Sequence, residues 1–203
     1  MFTERNMTSC TYSSPFSKTM LNESSLKKST NVIFIGNPLS SACWMHRSII
    51  REIQRYCSDK TICFSILMGY EKHDTLMASF LQNNTEPACR AIATARIMLL
   101  QNDPNDHTLL QFFTSIQEKF FEKGEDATQI EFYRSICEKH HLSYDAFVDI
   151  FNIIDTVVEC KTTKKLGMSS FPALILDQFG IIYPLSTESL SFEKITMEID
   201  SFL

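Results

Sequence analysis

From residue 31 onward the chain alternates short, wholly apolar runs with longer stretches in which apolar residues recur every three or four positions. The first run, Asn31 to Ile35 ("NVIFI"), is β-branched and aromatic and stops at Gly36, the composition of a buried strand. From about Ser41 to Tyr56 the apolar Ile49, Ile50, Ile53 and Tyr56 fall at helical spacing, with Ser40 or Ser41 available as N-cap. A second buried strand is predicted within residues 61–69 ("TICFSILMG"). Strand, helix and strand in such close succession predict a βαβ unit with a parallel crossover.

Between about Asp74 and Lys165 the period changes, and helical segments replace strands. Thr85 and Pro87 are expected to start a helix bearing Ala91, Ile92, Ala95, Met98 and Leu99, stopped by "NDPND". Asp106 is expected to cap the next, whose Leu109, Leu110, Phe113, Ile116, Phe120 and Phe121 form a wide apolar stripe ending at Gly124. Thr128-x-x-Glu131 has the form of a capping box, and Ser143 is a cap for a helix carrying Phe147, Ile150, Phe151, Ile154 and Val158 towards Gly167. The last residues return to strands: "FPALIL", a turn at "DQFG", then "IIYPL", an antiparallel hairpin closed by an amphipathic helix in 190–202. No internal repeat is visible.

Composition adds boundaries. The 203 residues suffice for one substantial domain, or a small one carrying an insertion. Residues 1–30 are rich in Ser and Thr and poor in aliphatics, so a disordered leader is expected there; it lacks the apolar stretch of a secretory signal, and no later run approaches a membrane span. Net charge is −5 and the 19 Lys and Arg form no basic run, which argues against nucleic acid as a partner. The five glycines build neither a dinucleotide fingerprint nor a Walker A loop, so nucleotide cofactors are not expected. Seven cysteines, odd in number and scattered, fit thiols in a reducing compartment, and a cytoplasmic protein is expected.

The chemistry concentrates at the first strand-to-helix turn, Asn37-Pro38-Leu39-Ser40-Ser41-Ala42-Cys43-Trp44. This stretch resembles the Asp-Pro-Leu-Cys-x-Trp-Cys-Trp motif of cytosolic DsbA-like proteins of the disulfide isomerase type. Glu86-Pro87-Ala88-Cys89-Arg90-Ala91 is similar to the start of that family's helical insertion, and Gly167-Met168-Ser169-Ser170-Phe171-Pro172-Ala173-Leu174 to its Gly-Val-x-Gly-Phe-Pro-Thr-Leu segment. The resemblance runs over residues 31–203. It implies an α/β chain with a thioredoxin-like fold and an inserted all-helical domain: 31–73 and 166–203 for the thioredoxin-like part, 74–165 for the insertion. It also implies that Pro172 follows a cis peptide bond and that Phe171 and Pro172 face residue 40.

The departure from the motif falls on the reacting atom, because Ser40 stands where the family has its nucleophilic cysteine while Cys43 and Trp44 are kept. A thiolate is the attacking species in thiol-disulfide exchange, and a hydroxyl neither ionises near neutral pH nor forms a disulfide. Dithiol oxidoreductase activity is therefore doubtful. The expectation is a protein that binds a peptide, protein client or thiol partner, or keeps only monothiol chemistry at Cys43, with Pro38, Trp44, Phe171 and Pro172 as ligand-binding positions. Ser40 also permits another reading. Asn37-Pro38-Leu39-Ser40 is similar to the Ser-Pro-Tyr-Ser turn of kappa-class glutathione transferases and chromene-carboxylate isomerases, in which the second serine hydrogen-bonds the glutathione thiolate, so a glutathione transferase or isomerase using Ser40 is the alternative. Glutathione is thus the one cofactor-like molecule in view.

The remaining candidates are weaker. Cys137, His140 and His141 share a helix end, but structural zinc wants four ligands in paired spacing; no metal is expected. Cys57 and Cys63 are expected to pack in the core, and His46, the histidine nearest the motif, to be exposed.

Overall fold

The computed structural model describes residues 30–69, 76–99, 106–156, 162–168, 170–185 and 190–203. Strand β1, Thr30–Gly36, is the hinge of the architecture, with Val32, Ile33, Phe34 and Ile35 all buried. A strand buried on both faces has no polar side to alternate with, which explains its unbroken apolar run. Strand β2, Cys63–Met68, lies parallel to one edge of β1, with Asn31 opposite Cys63 and Gly36 opposite Met68. Strand β3, Ala173–Gln178, runs antiparallel along the other edge, with Ile35 opposite Ala173, and β4, Ile181–Pro184, pairs with β3. The order is β2-β1-β3-β4, so the two ends of the sequence build one sheet.

The crossover from β1 to β2 is two helices rather than the single one expected: α1, Ser41–Met45, and α2, Arg47–Asp59. The break falls at His46, whose ring Nδ1 lies 2.8 Å from the Ala42 carbonyl. The Arg47 guanidinium donates to the Trp44 carbonyl at 2.9 Å. Side chains that bind carbonyls of the preceding turn compete with continued backbone bonding there. His46 is half-buried in this joint and not exposed as expected. Helix α2 seats Ile50, Ile53 and Cys57 in the core.

Helix α3, Leu76–Leu99, begins nine residues ahead of the expected start and runs through Pro87. Helix α4, His107–Gln117, follows, and five further residues, Glu118–Glu122, widen into a π-turn. Asp106 precedes α4 but does not cap it with its side chain. Its carboxylate accepts the Ile66 N–H at 2.8 Å and its carbonyl accepts the Gln54 amide at 3.1 Å, so the residue is spent tying the helix to β2 and α2. The expected capping box at Thr128 is likewise absent. Thr128 donates instead to Asp126, and a 3₁₀ turn, Ile130–Tyr133, leads into α5, Arg134–Lys139. Helix α6, Tyr144–Ile153, is capped by Ser143 as expected, though Ile154 is already extended and Val158 lies outside the described residues. Helix α7, Phe192–Asp200, capped by Ser191, closes the sheet against α2, where the Tyr56 hydroxyl donates to Asp200.

The cysteines divide. Cys43, Cys57, Cys89 and Cys137 are buried and carry thiols, but Cys63 is disulfide-bonded, against the reading of it as a core thiol. Residues 1–29, with Cys10, lie outside the described residues, as does Cys160; Thr30, the last residue of the expected leader, begins β1.

Candidate active site at the end of strand β1

The turn leaving β1 is held by its own first residue. The Asn37 side-chain oxygen accepts the Leu39 N–H at 2.9 Å and its carbonyl accepts the Ser40 N–H at 3.1 Å, reversing the chain within four residues. Pro38 is buried in this turn. Ser40 then adopts extended angles, φ −77° and ψ 125°, and caps α1: its Oγ accepts the Cys43 N–H at 3.4 Å, and its carbonyl accepts the Trp44 N–H at 3.0 Å. Ser40 is half-buried, whereas Cys43 is 2% exposed and belongs to the core. The outward position of the motif is therefore oxygen, and the sulfur points in.

Trp44 is clamped. The Arg47 guanidinium lies 3.5 Å from its ring centroid, and Phe121, from the π-turn, stacks on it at 5.4 Å with the planes 17° apart. The motif helix is thus fastened to the helical block by an aromatic contact. Arg47, three residues from Trp44, was within reach of helical-spacing arguments. No local pattern connects Trp44 with Phe121.

Phe171 and Pro172 lie at the same end of the sheet. Ile35 pairs with Ala173, so the segment before β3 passes the mouth of the turn that follows Gly36. The Phe171–Pro172 peptide bond is cis. Phe171 is buried, and a Cβ added at Gly69 would meet its ring at 2.2 Å, while the Gly69 N–H donates to the Gly36 carbonyl at 3.1 Å. Pro172 is buried as well. Of the four expected ligand-binding side chains, Pro38, Phe171 and Pro172 are packed inward and only Trp44 is half-exposed. What the site offers outward is Ser40, the exposed Ser41 and Ser170, and Met45, 65% exposed, none but Ser40 singled out by sequence.

The other candidates stay apart. Burial pushes the Cys137 thiol up to about 12, and likewise the Cys57 thiol. The ring of His140 lies 3.0 Å from the Ser115 hydroxyl and packs on Phe112, while His141 is exposed. Among the described residues no three His, Cys, Asp or Glu side chains gather as a metal site.

No protein-family model matches the chain, and no curated protein does. Solved structures do. A candidate protein disulfide isomerase from Nitrosomonas europaea superposes with a TM-score of 0.68 at 18% identity, covering 86% of this chain and 97% of its own. DsbA of Chlamydia trachomatis gives 0.65 at 14% identity, covering 88% of each. The cytosolic disulfide reductase DsbM of Pseudomonas aeruginosa gives 0.57 at 11% identity, covering 85% of this chain and 98% of its own.

Proposed function

Starting from a chain that has the DsbA-like thioredoxin fold with its helical insertion, we propose a relative of the thiol-disulfide oxidoreductases that binds an extended peptide or thiol partner without passing electrons through a dithiol. One observation carries this reading: Ser40 occupies the outward cap position and Cys43 the buried one. A mixed-disulfide cycle requires an accessible thiolate at the first position and a second thiol to resolve the product. Ser40 supplies neither a thiolate nor a disulfide partner for Cys43. The binding surface survives that loss, because the backbone of Ser170–Pro172 runs past the turn where an extended chain can add to it. On α1, Ser41 and Met45 are exposed and Trp44 is half-exposed beside them.

The test is a disulfide-reduction assay on the parent and on Ser40→Cys. Activity is expected in the variant alone; equal activity in both would place the chemistry at another thiol and overturn the reading. Calorimetry with glutathione separates a second occupant, since millimolar binding that disappears in Ser40→Ala would assign the hydroxyl to a glutathione thiolate.

Compartment follows from the cysteines rather than from the fold, which a cytosolic reductase also has. The disulfide at Cys63 favours a compartment where such bonds persist over the reducing cytosol expected from the cysteine count. No helix of the described residues is long and apolar enough to cross a membrane.

A further inference from the structure

Lys119, the second residue of the π-turn that continues α4, is a charged residue with its side chain only 12% exposed. Its ammonium meets three oxygens: the Phe132 carbonyl at 2.6 Å, the Ser135 hydroxyl at 3.0 Å and the Glu125 carboxylate at 3.1 Å. An ammonium has three hydrogens to donate, so the set is complete, and the Phe132 ring centroid lies 4.8 Å from the same charge. Phe132 belongs to the 3₁₀ turn and Ser135 to α5, so one side chain fastens the π-turn to the segment that follows it.

That fastening bears on the site through Phe121, two residues on. A π-turn holds one residue more than an α-turn, and one extra residue rotates the later side chains by about 100° around the helix axis. Phe121 and Arg47 both lie over Trp44, the phenyl centroid at 5.4 Å and the guanidinium carbon at 3.5 Å from its ring. The phenyl plane is 17° from that of the indole, and at these distances the two groups would overlap on one face. They therefore occupy opposite faces, and the indole is the middle of a three-layer stack. The part of half-exposed Trp44 that reaches solvent is its rim. Phe120 braces the outer layer, edge-on to Phe121 at 4.9 Å.

We propose that Trp44 serves the site as a fixed rim with both faces covered, and that Lys119 is the positioning residue that keeps Phe121 on the second face. A partner then meets the edge of the indole and does not stack on it. The inference rests on the functional reading only for Trp44 as part of the binding surface. The readout below needs no partner and no redox turnover, so the two fail separately.

Trp44 is the one tryptophan of the chain, so its fluorescence reports on the stack alone. Acrylamide, which quenches an indole by collision, is the probe. Lys119→Met keeps the side-chain stem and removes the charge; uncovering one of the two faces is expected to raise the quenching constant about twofold, as Phe121→Ala does directly. Unfolding in urea shows whether each variant is folded. If Lys119→Met does not fold, the double variant Ser135→Ala/Glu125→Gln decides, because it removes two of the three acceptors at exposed positions and should raise quenching in the same direction. A folded variant that quenches like the parent, or a parent that quenches as freely as Phe121→Ala, overturns the proposal.

Discussion

Gly69 sits where only a hydrogen fits, because the Phe171 ring fills the space a Cβ would take. Gly69→Ala is expected to destabilise the protein by about 1–3 kcal/mol through overpacking, read from denaturant unfolding, with Phe171→Leu in the same chain recovering part of the loss. That contact joins the strand after the crossover to the segment before β3, and no local pattern announces it. Ser40, by contrast, was legible from sequence: capping depends on a residue and the three that follow, so the preference for serine acts locally. Ser143 was legible for the same reason, and Ser191, which caps α7 by the same local rule, was not singled out. Asp106 has the residue type of a cap and spends its carboxylate on Ile66, forty residues away in sequence. Gln117 carries no sequence signal, since its buried carboxamide stands out only by lacking a hydrogen-bond partner among the described residues, a property of packing and not of residue type.

Among the elements, α4 and the π-turn that continues it tie the site to its surroundings, reaching β1 through Phe113 of α4, α1 through Phe121 of the π-turn and the C-terminal end of α5 through the Ser115–His140 contact. The Ser115–His140 contact makes this junction sensitive to acid. Burial holds the His140 pKa below the ordinary histidine value of 6.5, with Lys139 and His141 pushing the same way and Glu118 opposing them. The unfolded chain therefore takes up a proton at higher pH than the folded one, and folding stability falls as pH drops from about 6.5 towards the folded value. His140→Gln should flatten that part of the stability profile, measured by urea unfolding at a series of pH values; an unchanged slope would assign the acid sensitivity to other groups. Helix and strand identities were readable from period alone, but two junctions were not. The break at His46 arises from side chains binding carbonyls, and α3 runs through Pro87, which by its local signal was expected to start the helix.

At the scale of the molecule, the cysteines give the most direct test. Of the seven, one pair is bridged through Cys63, so titration in denaturant without reductant is expected to count five thiols, and seven would remove the argument for an oxidising compartment. The fold itself was legible because a switch from strand to helix and back leaves a trace over long stretches; the sheet order was legible only through the resemblance, since nothing local says that β3 bonds to β1. That order, β2-β1-β3-β4, has a consequence for synthesis. While the ribosome makes the helical block, β1 and β2 are already outside with one flank of β1 unoccupied, and at roughly 5–20 residues per second this lasts on the order of ten seconds. A nascent chain with an apolar strand edge bare for that long is a natural client for chaperones that work at the exit tunnel.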